Sequence, residues 1–213
     1  MDVIDISRTL SNRIAPWPGD TAFHFGLKWK MSDGATVNVG AVEMGVHNGT
    51  HADAPFHFEP NGETIDALAL DVFIGSAVVV DLSKKFSDDG QEIAIADVRA
   101  CEKDLRDAPR LLLKTGAWPD SEIFPKTIPV IAHDVPQWLR ATGVRLLGVD
   151  LPSVDPIDSK DLSNHHALAA ANIAIVESLD LSQVRGGIYR FAALPLKIVG
   201  GDAAPVRAIL WRE

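Results

Sequence analysis

The alternation of apolar and polar residues predicts strands in the first quarter of the chain. VIDIS at 3–7 alternates with a period of two, and the same period runs through 23–31 and 36–47. This period is typical of antiparallel strands with one buried face, because successive side chains of a strand point to opposite sides. Between the first two patterned segments, APWPGD at 15–20 predicts a rigid loop, since it holds two prolines and a glycine.

Short, continuously apolar runs follow in the rest of the chain and predict further strands, several of them buried on both faces. Segments with helical spacing alternate with these runs. The predicted strands are 77–83, 110–116, 144–150, 173–179, 187–200 and 205–211, and the predicted helices are 96–106, 134–142 and 162–172. This alternation indicates an α/β protein with a mixed β-sheet core and flanking helices. No linker, internal repeat or low-complexity tract interrupts the sequence, so we expect residues 1–213 to form a single domain.

Composition and charge exclude several classes of function. No run of roughly 18 apolar residues is present, so we expect no membrane span. The formal net charge is −9 and the 20 Lys and Arg residues are scattered, which argues against nucleic acid as a partner. With Cys101 as the one cysteine, no intrachain disulfide can form, and the first residues lack the features of a secretory signal. We therefore expect a cytoplasmic protein.

The segment HNGTHADAPFHF at 47–58 is unusually rich in side chains that bind metals. His47 and His51 stand four residues apart, as zinc-binding histidines do on a helix, but Gly49 and Pro55 predict an irregular loop leaving a strand. Such a loop could still fold His47, His51 and Asp53 around one Zn²⁺ or a similar divalent ion. Two histidines and one carboxylate leave a coordination position open for chemistry.

The histidines could also have a structural role instead of binding metal. A single histidine is more often a hydrogen-bonded structural residue than a ligand, and His24 and His133 are interpreted in that way. The whole 47–58 segment could also be a polar loop whose histidines bind nearby carbonyl groups. Serine or thiol hydrolysis lacks support, because the chain has no G-x-S-x-G and Cys101 has no motif around it.

The spacing H-x-G-T-H-x-D-x-P-x-H-F at 47–58 resembles the signature of the metal-dependent cyclase-like amidohydrolase family, and every fixed position is filled. The resemblance covers nearly the whole chain and, within the family, is strongest to the bacterial kynurenine formamidases. The other segments that carry it are 150–179 and 193–210 for the family, and 16–20, 37–40 and 152–160 for that subgroup. It implies the swivelling β/β/α, cyclase-like type of fold.

The resemblance also implies a two-metal site. His47, His51 and Asp53 match the family's first ligand set, and a later histidine with a glutamate twelve residues beyond it completes the second. Counting back twelve residues from Glu177 gives His165. Asp53 and Glu177 are then expected to bridge the two ions, which we expect to be Zn²⁺, with Mn²⁺ or another divalent metal as an alternative.

The remaining implications concern catalysis and assembly. His57 matches the family's catalytic acid or base, Trp17 matches a substrate-binding position, and His166 is interpreted as a residue of the helix surface. The implied reaction is hydrolysis of N-formyl-L-kynurenine to L-kynurenine and formate, a step of tryptophan degradation by the kynurenine pathway. A homodimer is expected, with the loop around Trp17 near the neighbouring subunit's site. The alternatives are a cyclic-amide hydrolase of the same family, such as isatin hydrolase, and a non-catalytic metal-binding protein.

Overall fold

A large mixed sheet forms the centre of the molecule, whose computed structural model describes residues 2–86 and 92–212. The strands are β1 (Asp2–Asp5), β2 (His24–Trp29), β3 (Val39–Glu43), β4 (His51–Asp53), β5 (Ile74–Asp81), β6 (Glu92–Ile93), β7 (Arg110–Lys114), β8 (Val130–Ile131), β9 (Leu146–Val149), β10 (Ala174–Glu177), β11 (Gly187–Ala192), β12 (Ala203–Pro205) and β13 (Ile209–Arg212). The helices are α1 (Ile95–Val98), α2 (Glu102–Leu105), α3 (Val135–Ala141) and α4 (Ser163–Ala170).

The large sheet has nine strands in the order β1-β13-β11-β5-β7-β9-β10-β4-β12. Its middle is parallel, from β5 through β7 and β9 to β10, and the outer pairs are antiparallel. Strands β2 and β3 form a separate antiparallel ribbon, as their period of two predicts. These pairings confirm the α/β class with a mixed sheet.

Both faces of the parallel strands are buried, which explains their continuous apolar runs. Leu111 and Leu113 of β7 pack in one apolar cluster with Leu139 of α3 and Leu168 of α4. Leu112 of the same strand points the other way, into a second cluster that also includes side chains of β11 and β13. A strand buried on both sides needs apolar residues at every position.

The sheet curls until its two ends meet. Three residues, 206–208, connect β12 at one edge to β13, which is second from the other edge. Backbone bonds tie this crossing in place, from Val206 N to Thr50 O at 3.0 Å and from Ile6 N to Ala208 O at 3.0 Å. The prediction of one strand over 205–211 is therefore wrong, because the segment divides between two strands with different neighbours.

Two further predicted elements are shorter or broken. The helix expected at 96–106 is divided into α1, a 3₁₀ turn at Arg99–Cys101, and α2. The strand expected at 187–200 ends at Ala192, and beyond it Pro195 forms an isolated bridge with Val206. In the described part of the chain, no helix is both long and apolar enough to cross a membrane.

Candidate metal centre

The centre of the 47–58 segment is a strand, which corrects the prediction of an irregular loop. His51–Asp53 forms β4, paired on one side with β10 and on the other with β12. Ala52 points into the apolar core, so His51 and Asp53 share the opposite face. Glu177 is the register partner of His51 on β10. Three residues are too few to show a strand period in sequence, and the pairing comes from distant segments.

A tight turn before β4 brings His47 onto the same cluster. Gly49 has φ of +66°, a left-handed conformation that favours glycine. The turn places the His47 ring 4.9 Å from the His51 ring, measured between centroids. The Nδ1 atom of His47 then lies 3.2 Å from Asp53 Oδ1.

Thr50 anchors this turn to the neighbouring chain segments. Its buried hydroxyl donates to the carbonyl of Ser178 at 2.6 Å and accepts from the backbone N–H of Arg8 at 2.8 Å. A buried hydroxyl with both partners made holds the backbone in one place. Two chain segments therefore fix the backbone next to His51.

Asp155, which the sequence did not single out, orients His165 at the start of α4. Its Oδ2 atom accepts from the backbone N–H of His165 at 3.0 Å and from the ring Nδ1–H at 2.6 Å. The ring Nε2 atom therefore faces the cluster, 3.5 Å from Asp53 Oδ2 and 3.5 Å from Glu177 Oε1. His166 points elsewhere, with its Nδ1 atom 3.6 Å from Glu59 Oε1.

The cluster contains buried polar atoms that have no hydrogen-bond partner among the described residues. They are Nε2 of His51 and both carboxylate oxygens of Asp53. The Nδ1–H of His51 donates to the carbonyl of Gly49 at 3.0 Å, which leaves the Nε2 lone pair free. Unpartnered buried atoms of this kind are costly, and coordination to a cation would satisfy them.

Among the described residues, two of the three groups of candidate ligand atoms share Asp53. One group is His47, His51 and Asp53, and the other is Asp53, His165 and Glu177, with the atoms of each group within 4.8 Å of one another. Imidazole nitrogens and carboxylate oxygens are ligands that Zn²⁺ and neighbouring divalent metals accept. The residues present therefore fit a divalent metal site.

The buried carboxylates of the cluster favour the binding of positive charge. Burial, together with the nearby Asp53 carboxylate, raises the pKa of Glu177 to about 7. Burial opposes ionisation of Asp53, but His51, His165 and His47 hold its pKa well below its usual range. Despite burial, the nearby carboxylates of Asp53 and Asp202 raise the pKa of His47 to about 9. The carboxylates thus bind positive charge strongly, which a divalent cation would supply.

His57 lies on the open side of the cluster, at the end of a 3₁₀ turn, Pro55–His57. Its ring is 4.2 Å from that of His47, and its Nδ1 atom is 3.4 Å from Asp202 Oδ2. Burial and the positive charges of His47 and His165 lower its pKa, against the opposing attraction of Asp53. Asp202 was not singled out from the sequence, where it is one acidic residue after two glycines.

A cleft of about 470 Å³ opens onto the cluster and His57. Trp17 lines it, with its ring edge-on to Phe124 at 5.2 Å between centroids, and Trp118 lies beside Phe124. Two opposite charges, Asp20 and Lys160, also line the cleft.

The predicted metal ligands and His57 are thus brought together beside the cleft, Trp17 lines it, and the remaining candidates lie elsewhere. His24 and His133 do not line it. Cys101 is buried, and its thiol donates to the carbonyl of Val98 at 2.9 Å. Burial raises the pKa of that thiol to about 11, which suits a structural residue better than a nucleophile.

Comparison with known proteins gives consistent results. Residues 4–156 match the model of a family described as "Putative cyclase". A kynurenine formamidase of Geobacillus thermodenitrificans is 45% identical over 207 residues, covering 97% of this chain and 96% of that protein. A structure titled as a potential metal-dependent hydrolase with cyclase activity superposes with a TM-score of 0.82 at 25% identity, covering 100% and 98% of the two chains. Isatin hydrolase A of Labrenzia aggregata shares the fold, with a TM-score of 0.82 at 22% identity. The superposition covers 98% of this chain and 93% of that chain.

Proposed function

This chain belongs to the cyclase family, and from that premise we propose that it hydrolyses the formamide bond of N-formyl-L-kynurenine, giving L-kynurenine and formate. A cleft with aromatic walls that opens onto the buried His, Asp and Glu cluster is the observation that carries this proposal. The similarity to a kynurenine formamidase over 97% of the chain supports the choice of substrate.

The cluster would hold two divalent ions, which we propose to be Zn²⁺. His47, His51 and Asp53 would bind one ion, and His165 and Glu177, with Asp53 shared, the other. When bound, the metal supplies a Lewis acid that polarises the formyl carbonyl and makes water a stronger nucleophile. Asp155 keeps the Nδ1 proton of His165 away from the cluster, so that Nε2 is available as a ligand.

His57 is proposed to move the proton during hydrolysis. Its Nδ1–H donates to Asp202, so the Nε2 atom of the neutral ring carries the lone pair. That atom accepts the proton of the attacking water as the new C–O bond forms, and returns it to the aryl nitrogen as the C–N bond breaks. Burial lowers the pKa of His57 and so favours the neutral ring, the form that a general base needs.

The cleft offers matching surfaces to the two halves of the substrate. The rings of Trp17, Trp118 and Phe124 suit an arylamine, and stacking on such a ring contributes about 0.5–1.5 kcal/mol beyond area burial. Lys160 and Asp20 provide one charge of each sign for the carboxylate and the ammonium of an amino acid. A simple aromatic formamide has the ring and the formamide group but neither the carboxylate nor the ammonium group.

A comparison of substrates tests this proposal. We expect kcat/KM for N-formyl-L-kynurenine to exceed that for formanilide by about tenfold or more, because formanilide leaves the charged groups of the cleft unused. Isatin is the third substrate in the assay, since the fold is shared with an isatin hydrolase. A higher kcat/KM for isatin would contradict the proposed substrate, and the absence of turnover with all three at saturating Zn²⁺ would favour a metal-binding protein without catalysis.

We also propose that the chain forms a homodimer through the β2–β3 ribbon. This ribbon exposes large apolar side chains, among them Phe25, Trp29 and Val42, with Trp29 61% exposed. Asn12, in the N-terminal segment that leads to Trp17, bonds through its side-chain amide to the backbone of Phe25, which ties the ribbon to that segment. A second copy that covers the ribbon would therefore lie close to the cleft.

Sedimentation at micromolar concentration tests this assembly. We expect twice the 23.0 kDa monomer mass for the wild type. The double substitution Phe25→Glu and Val42→Glu should give monomers, because these cross-strand partners share one face and the change places two charges in an apolar contact. Lys28→Glu, a charge change on the same strand, is the control that should stay dimeric. A monomeric wild type would contradict the proposed dimer. A double variant that remains dimeric would contradict the β2–β3 ribbon as the contact surface.

A further inference from the structure

Asp202 immediately precedes β12, and its main chain is fixed independently of its side chain. Its carbonyl accepts a hydrogen bond from Ala54 N at 2.9 Å. Two residues earlier, the N–H of Gly200 donates to Asp66 Oδ1 at 2.9 Å. The residue after Asp202, Ala203, is the register partner of Asp53 in the β12–β4 pair. These contacts place the Asp202 side chain beside the open end of the cluster.

One carboxylate oxygen of Asp202 accepts hydrogen bonds from two histidines. Its Oδ2 atom accepts from the Nε2–H of His47 at 3.0 Å and from the Nδ1–H of His57 at 3.4 Å. A carboxylate oxygen has two lone pairs and can accept both bonds. The centroids of the two rings are 4.2 Å apart, and the shared oxygen holds both rings at this spacing.

These two bonds decide which nitrogen of each ring is free. Because Nε2 of His47 carries the proton toward Asp202, Nδ1 is the atom left for a metal, and it is the atom that faces Asp53 Oδ1 at 3.2 Å. In His57, donation from Nδ1 leaves the lone pair on Nε2. Carboxylates that hold a ligand histidine in this way tune both its orientation and its basicity.

We propose that Asp202 is a positioning residue that couples the metal centre to the proton carrier, by holding His47 as a ligand and His57 as a base through one oxygen. The His57 half of this inference rests on the proposed function. No contact between Asp202 and the reacting atoms is required.

A direct ligand role for Asp202 is the competing arrangement. His47, His57 and Asp202 also lie within 4.8 Å of one another through their ligand atoms. In that group, however, Asp202 Oδ2 already has two hydrogen-bond partners, and the Asp202 side chain is 41% exposed. The buried, unpartnered oxygens of Asp53 gain more from a cation than a solvated, bonded carboxylate does. The geometry thus favours the positioning role.

The test uses Asp202→Asn and Asp202→Ala in the full chain. Zn²⁺ affinity is measured by competition with a chelator, and kcat and KM for N-formyl-L-kynurenine are measured at saturating Zn²⁺. We expect Zn²⁺ affinity and kcat each to fall by about 10- to 100-fold in both variants, with KM little changed. Introduced into His57→Ala, Asp202→Ala should lower kcat much less, because the partner is already missing. The Zn²⁺ stoichiometry at saturation should equal that of the wild type.

Asp66→Asn is the matched control. Asp66 accepts from the N–H of Gly200 in the same turn and bonds to neither histidine, and the asparagine variant keeps a side-chain oxygen that can accept the same bond, so it should keep both readouts. Wild-type Zn²⁺ affinity and kcat in both Asp202 variants would overturn the proposal, and so would a lost ion at saturating Zn²⁺, which would make Asp202 a ligand. An undiminished effect on kcat in the His57→Ala background would refute the coupling to His57. The Zn²⁺ affinities are measured without substrate. They therefore test whether Asp202 holds His47 as a metal ligand even if N-formyl-L-kynurenine is not hydrolysed.

Discussion

Asp53→Asn and Asp53→Ala are expected to lose bound metal and hydrolysis together. Asp53 links the two ligand groups, and within the described residues neither of its buried carboxylate oxygens has a hydrogen-bond partner. Its loss leaves each group with two ligands. Elemental analysis should fall from about two divalent ions per subunit in the wild type to well under one, and activity should fall to the uncatalysed background.

Removal and return of the metal provides the control for this result. Wild-type protein stripped with a chelator should lose activity and regain it with added Zn²⁺, whereas the Asp53 variants should not recover. Circular dichroism checks that the variants fold, and Asp53→Asn keeps the size of the side chain. Full activity of the wild type in strong chelator, or an Asp53→Asn variant with two ions and normal turnover, would show that the cluster is not the metal centre.

His57→Ala is expected to slow hydrolysis without emptying the site. A positioned general acid or base contributes about 10²- to 10⁴-fold in rate, so kcat should fall by that factor. His57 lies outside the two groups that share Asp53, and its side chain bonds to Asp202. Metal content should therefore stay near the wild-type value.

His166→Ala is the matched control for this variant. It removes another histidine from the neighbourhood, one whose ring faces Glu59 on the surface, and kcat should not change. The assignment of His57 as the proton carrier fails if His57→Ala is free of metal, because His57 would then be a ligand. It fails equally if His57→Ala hydrolyses N-formyl-L-kynurenine at the wild-type rate.

Sequence patterns were sufficient for elements whose environment is uniform along their length. Strands β5, β7, β9 and β10 were predicted because burial on both faces gives them short, continuous apolar runs, which in β10 end at the polar Glu177. The β2–β3 ribbon was predicted from the alternation of apolar and polar residues along each strand, although neither strand has a buried residue. The spacing of 47–58 also predicted which side chains would meet, and the structure brings His47, His51 and Asp53 into one group.

Tertiary structure decided what depends on partners far along the chain. β4 is a strand because β10 and β12, each more than a hundred residues away, supply its hydrogen bonds, and three residues alone carry no period. The same pairing separates β12 from β13 in a stretch that resembles one strand. The roles of Asp155 and Asp202 arise only from position, because a carboxylate orients an imidazole when folding places the two within hydrogen-bond distance. The sequence by itself therefore determined the metal-binding residue types and their local spacing, and the curled sheet decided which atoms of those residues face one another.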